Sequence, residues 1–238
     1  MSDSQWLTPV YFLTAYLIYW FAPETPIWGR LTGRDKNSEE IESRNSVYLQ
    51  KFLGFLLLGP GALTAAAIWG PVSEIRFGMQ WPSGPHALPL FLLTSTAGFI
   101  FMAFRPKKSL NPDYYPQVRL QYWKPGDILL NSLFWVLYLF SYEFAFRGMM
   151  FFPLLNLLGF WPAAVIGTVI YSCVHIPKGA QEAFIAVPFG LLLYYIAWET
   201  SSMMIPFTAH LLLALMNDYR SLKANPQMSI SGFRRKYD

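Results

Sequence analysis

A succession of apolar runs, several long enough to cross a bilayer, constrains this chain more than any other feature. A hydrocarbon core takes roughly 20 helical residues to cross, and lipid offers no partner for backbone N–H and C=O groups. The first run covers about Trp6 to Phe21, the second Phe52 to Trp69 and the third Leu88 to Phe104. From Ile128 the apolar character hardly stops until Asn217. Breaks at Gly159, Pro177-Lys178-Gly179 and Thr200-Ser201-Ser202 divide it into spans near 130–157, 160–176, 183–199 and 203–217. The expected fold is all-α, a polytopic membrane bundle of seven transmembrane helices. An eighth arises if Pro153 ends the long fourth span and leaves a re-entrant piece before Gly159. Charged residues make up 13% of the chain, where soluble domains carry about a quarter.

The connections carry the punctuation. The first run lacks a basic leader and a small-residue cleavage site, so it reads as an anchor and not a signal peptide. Between Glu24 and Lys51 the stretch "NSEEIESRNS" predicts a short surface helix leading into the membrane. Gly59-Pro60-Gly61 predicts a kink whose freed backbone groups neighbouring helices must satisfy. Cys173 stands alone, which excludes an intrachain disulfide, and its apolar surroundings predict a small buried hydrophobe.

Charge then orients the bundle. Arg30, Arg34, Lys36, Arg44 and Lys51 fall in the first connection, and Arg105, Lys107, Lys108, Arg119 and Lys124 in the third. Lys178 and the tail residues Arg220, Lys223, Arg234, Arg235 and Lys236 fall on the same side, whereas the second connection holds only Arg76. By the positive-inside rule that side is cytoplasmic, with the N-terminus out and the C-terminus in. The net charge of +4 is thus a matter of topology and not a nucleic-acid signal. Three parts result: three N-terminal helices with basic loops (1–126), a four-helix core (127–218) and a basic cytoplasmic tail (219–238). The basic loop and tail also suit anionic headgroups of the lipid bilayer, at roughly 1 kcal/mol per near-surface cation.

The four-helix core holds the charges that topology does not explain. In "SYEFAFRGMMFFP", Glu143 and Arg147 lie four apart, so on a helix they pair along one face. A charge inside a span is costly and marks a functional site unless it only clamps helices together. His175 in "IYSCVHIP" and His210 in "PFTAHLLLALMND" add two imidazoles on separate spans. His86, between Pro85 and Ala87 in a short outer loop, reads as solvated.

Three chemistries use one Glu and two His. A metal site would take them as ligands with water in the open position, but the HExxH spacing is absent and zinc is not favoured. Metal-free hydrolysis would use Glu or His to deprotonate a water and the other His to meet the oxyanion. Proton relay in a transporter would need further buried acids, and the first three spans show none.

"YEFAFRG", "YSCVH" and "FTAHLLLALMND" together resemble the CPBP family, the CAAX prenyl endopeptidases and related bacterial Abi membrane proteins. Its signatures are Glu-Glu-x-x-x-Arg, Phe-x-x-x-His and His-x-x-x-Asn on separate membrane helices, and the likeness covers roughly residues 128–218. The resemblance implies an intramembrane endopeptidase of a bacterial inner membrane, acting without a cofactor on a membrane protein or peptide. By position Glu143 matches the second Glu, which pairs with Arg147; His175 matches the water-holding His and His210 the oxyanion His. Tyr171 replaces the Phe of the second motif.

Two departures bear on chemistry. Tyr142 stands where the water-activating Glu belongs, and a phenol with a usual pKa of about 10 is a poor base near neutrality. Ala214 stands where the Asn belongs, and losing one oxyanion donor typically costs on the order of 10²- to 10³-fold in rate. Asn217, two turns after His210, is the nearest substitute. Two readings follow: a protease in which Glu143, His175 and His210 act with help from Tyr142, or a catalytically silent relative that serves as a binding subunit or chaperone of a membrane complex.

Overall fold

The computed structural model describes residues 7–33, 39–69, 77–110 and 114–231. Trp6, Arg34, Lys36, Arg76, Arg234, Arg235 and Lys236 lie outside the described residues. The described chain is all-α apart from one two-residue strand pair. Its helices are α1 (Leu7–Phe21), α2 (Pro26–Thr32), α3 (Glu39–Leu56), α4 (Ala62–Trp69), α5 (Ala87–Phe104), α6 (Pro125–Glu143), α7 (Phe152–Leu158), α8 (Phe160–Cys173), α9 (Ala180–Thr200) and α10 (Met204–Ala224).

Among the described residues five stretches are long and apolar enough to cross a membrane: Glu39–Ile68, Ala87–Phe104, Pro125–Leu158, Phe160–Lys178 and Ala180–Thr200. The other two expected spans are also helical. The described part of α1 is only 15 residues long, and α10 carries Asn217, Asp218, Arg220 and Lys223 in its second half.

The acidic stretch from Glu39 is not a separate surface helix. It is the first part of α3, which runs through a wide π turn at Leu57–Gly61 directly into α4. Pro60 lies inside that turn, and Tyr11 donates a hydrogen bond to the Leu57 carbonyl at 2.9 Å. As a result Lys51, expected in a cytoplasmic loop, is 2% exposed, with its Nζ 3.6 Å from the centre of the Trp135 ring. The fourth span behaves similarly: α6 passes through a second π turn at Phe144–Phe151 into α7. Pro153 falls in the first turn of α7, so the helix continues to Leu158 with no re-entrant piece. Gly159 at φ 77° and Gly179 at φ 112° make the turns into α8 and α9, a region of backbone space that side-chain-bearing residues rarely adopt. Cys173 is exposed on the outside of α8 and is not buried, a correction to the expectation from its apolar neighbours.

Contacts sort the connections to two ends of the bundle. At one end Met203 N–H donates to Gly78 O at 2.8 Å, and the Ser202 hydroxyl to Gln80 O at 2.6 Å. At the other, β1 (Tyr122–Trp123) pairs in parallel with β2 (Ser229–Ile230), tying the third connection to the chain after α10. Tyr115 donates to Glu182 at 3.4 Å at that same end, and Lys178 Nζ lies 5.8 Å from the Tyr114 ring centre. One buried cluster joins Phe12, Tyr16 and Tyr19 of α1 to Tyr138 and Tyr142 of α6, Tyr171 of α8 and Tyr194 of α9.

Candidate active site

The second π turn sets the site. Widening the helix after Glu143 places Phe144–Phe151 wholly in the interior, and Glu143 and Arg147 are both completely buried. Gly148 lets the turn approach another segment closely: a Cβ there would come within 2.7 Å of the Phe77 carbonyl oxygen.

Arg147 Nη1 donates to Glu143 Oε1 at 3.1 Å and approaches Oε2 at 3.0 Å, an ion-pair contact without hydrogen-bond alignment. The guanidinium lies over two tyrosine rings, 4.6 Å from the centre of Tyr171 and 4.7 Å from that of Tyr194. Its Nε and Nη2 have no hydrogen-bond partner, nor do the hydroxyls of Tyr142, Tyr194 and Thr168. A buried cation held between ring faces and one carboxylate is well compensated in charge and incompletely so in hydrogen bonds.

The second contact of Glu143 is to His210. Nδ1 of that ring lies 2.6 Å from Glu143 Oε1, so the carboxylate is shared between α10 and its own helix. His175 is engaged elsewhere: its Nδ1 lies 2.7 Å from the carbonyl oxygen of Tyr171, one turn back. A carbonyl only accepts, so His175 Nδ1 carries a proton, and in the neutral ring Nε2 holds the lone pair. The neutral form of His210, donating from Nδ1 to the carboxylate, likewise keeps its lone pair on Nε2.

Aromatic rings hold these groups together. The Tyr171 ring centre is 4.6 Å from that of His175 and 6.1 Å from that of His210, and Tyr142 is 5.6 Å from His210 and 6.2 Å from Tyr171. Glu143, Arg147, His210, Tyr142, Tyr171 and His175 therefore share one interior region on α6 and its π turn, α8 with its following turn, and α10. Asn217 does not join them. Its side-chain oxygen accepts from Arg105 Nη1 at 3.2 Å, roughly 10 Å along the α10 axis from His210. Ala214 packs against the hydrophobic core, and His86 is exposed at the start of α5.

A second buried polar group escaped sequence reasoning. Asp218 is fully buried and accepts from Asn131 Nδ2 at 2.8 Å, Trp135 Nε1 at 3.2 Å and the Gln117 backbone N–H at 3.3 Å. The signal was present in "ILLNSLFW": an Asn within an apolar run needs a buried partner. Among the described residues no three His, Cys, Asp or Glu side chains converge so as to hold a metal ion.

Residues 124–216 match the family model described as type II CAAX prenyl endopeptidase Rce1-like. The match spans α6 to α10 and contains every group of the site. No curated protein matches the chain, and neither does any solved structure.

Proposed function

We infer, from a chain whose residues 124–216 match the Rce1-like type II CAAX prenyl endopeptidase family model, that this integral membrane protein keeps the family's bundle without its hydrolytic chemistry. It works as a non-cleaving binding subunit or chaperone of a membrane complex. The observation that carries this reading is the state of Glu143. Its Oε1 is shared by Arg147 at 3.1 Å and His210 at 2.6 Å, so the site's carboxylate clamps two helices instead of facing a water beside His175. With Tyr142 in place of a base and Ala214 in place of a donor, the site lacks two of its four central groups. Seven crossings, N-terminus out and C-terminus in, fit the two-ended grouping of contacts, and a bacterial inner membrane fits the bacterial relatives that the motifs resemble.

One observation favours the endopeptidase reading. Donation from both Nδ1 atoms leaves two imidazole Nε2 lone pairs in one region, and a carboxylate behind His210 orients that ring as a base. Tyr142, whose hydroxyl has no partner, would then serve as the donor to a developing oxyanion.

The deciding experiment incubates purified protein with a transmembrane-peptide library, with and without chelator, and reads new termini. No new termini above a His175→Ala control is the expected result. Cleavage lost in His175→Ala overturns the silent reading, and cleavage abolished by chelator and restored by zinc overturns the metal-free one.

A further inference from the structure

The segment Tyr114–Gln117 has no part in the chemistry considered above, yet it belongs to the same core. Tyr115 is 6% exposed and clusters with Tyr16, Tyr142 and Tyr171, and Tyr114 packs against that cluster with its ring centre 5.0 Å from that of Tyr115. Three contacts fasten the segment at the tail end of the bundle. The Tyr115 hydroxyl donates to Glu182 on α9 at 3.4 Å, Lys178 lies over the Tyr114 ring at 5.8 Å, and Gln117 N–H donates to Asp218 at 3.3 Å. Burial and the neighbouring Glu182 carboxylate raise the Tyr115 hydroxyl well above the usual phenol range, which keeps it a donor.

Each fastening point stands next to an element of the site. Lys178 ends the turn that follows His175, Glu182 stands just beyond it in the first turn of α9, and the carbonyl of Val174 accepts from Tyr16 at 3.3 Å. Asp218 lies eight residues after His210 on α10. Further along, Val118, Leu120 and Trp123 are buried with Tyr48, Leu222 and Met228, and β1 is held by β2 through Ser229 N–H to Gln121 O at 2.8 Å and Ser231 N–H to Trp123 O at 2.8 Å. The segment is thus a strap whose far end packs in a cluster of its own and whose near end lies against the main core, fastened there by these polar contacts. Polar contacts of this kind open at lower free energy than a packed core.

We propose that Tyr114–Gln117 is a cover over the tail-side entrance to the His175–His210 region, latched by Tyr115–Glu182 and by Gln117–Asp218. Access to the interior then requires the latch to open, whether the site cleaves peptides or only binds them. Because Asp218 and His210 share α10, an occupant that displaces the cover acts on the helix that carries His210.

The test places a cysteine at His175 in a Cys173→Ser background and measures its modification by a charged, membrane-impermeant thiosulfonate reagent. Slow modification is expected with the cover intact. Tyr115→Phe removes one latch contact and Asp218→Asn weakens the other. Each should accelerate modification about tenfold, because a hydrogen bond to a charged group shifts a local opening equilibrium by that order. Ala164→Cys, at a fully buried position, is the control for general unfolding and should stay unmodified in both variants. Modification of the intact protein at the rate of an exposed cysteine overturns the proposal. So does an unchanged rate in both latch variants, or acceleration matched by the Ala164→Cys control.

Discussion

Glu143 decides between clamp and base, and its two partners make the distinction measurable. Replacing it with Gln leaves Arg147 buried without a counter-charge, and removing one side of a buried ion pair costs roughly 3–5 kcal/mol in soluble proteins. Glu143→Gln and Arg147→Ala are both expected to lower the melting temperature in detergent by several degrees. Two variants that melt with the parent would show that the pair does not hold the bundle, and would free Glu143 for chemistry. The complementary change acts on the two departures from the family pattern. Tyr142→Glu with Ala214→Asn restores a carboxylate and an oxyanion donor, and is expected to bring peptide cleavage that disappears with His175→Ala. A double variant that melts with the parent and still shows no new termini would count against missing groups as the cause of silence.

At the scale of elements, the two π turns show what the sequence could and could not tell. The apolar runs near 88–104, 160–176 and 183–199 correspond closely to α5, α8 and α9, because long apolar periodicity is strongly determined by the bilayer. The Gly59-Pro60-Gly61 irregularity was also legible, since proline forbids a regular turn there. The irregularity at Phe144–Phe151 was not, because it has no proline and arises from packing: Gly148 against the Phe77 backbone and Arg147 between two rings. The motif residues around Glu143 and the two histidines were legible from residue type in an apolar context. The direction of each side chain was not, so the contact between Glu143 and His210 had to come from the fold. Gly148→Ala tests the turn. Its Cβ would press on backbone that cannot swing aside, so a loss of about 1–3 kcal/mol is expected, in the range of overpacked cores. Gly126→Ala in the first turn of α6 meets nothing within 4 Å and is expected to stabilise by about 0.4–1 kcal/mol through the unfolded chain. Thermal denaturation of both variants checks the contrast; equal losses would mean that the turn tolerates a side chain at 148.

For the whole molecule, the arrangement of the two ends carries the topology. Residues 78–83 bond to the α9–α10 connection at one end, whereas the α3 N-terminal half, residues 114–123, the α8–α9 turn and β2 meet at the other. Arg44 lies 4.0 Å from Asp127 and the Glu40 carboxylate accepts from Gln121 N–H at 3.4 Å, so the first and third basic connections share that second end. Lys124, Lys178 and Lys223 belong to the same end by their places in the chain, and by the positive-inside rule the proposed topology has this end facing the cytoplasm. Five stretches long and apolar enough to cross are already an odd number, and α1 and α10 keep the count odd if both span or if neither does. Single cysteines at Ser83 and Asn225, in a Cys173→Ser background, separate the cases. Asn225 is expected to react with an impermeant maleimide only after the cytoplasmic face is exposed, and Ser83 from the outside of intact cells. Labelling of both positions from the same face would break the two-ended arrangement, and labelling of Asn225 from outside would reverse the orientation that the basic residues imply.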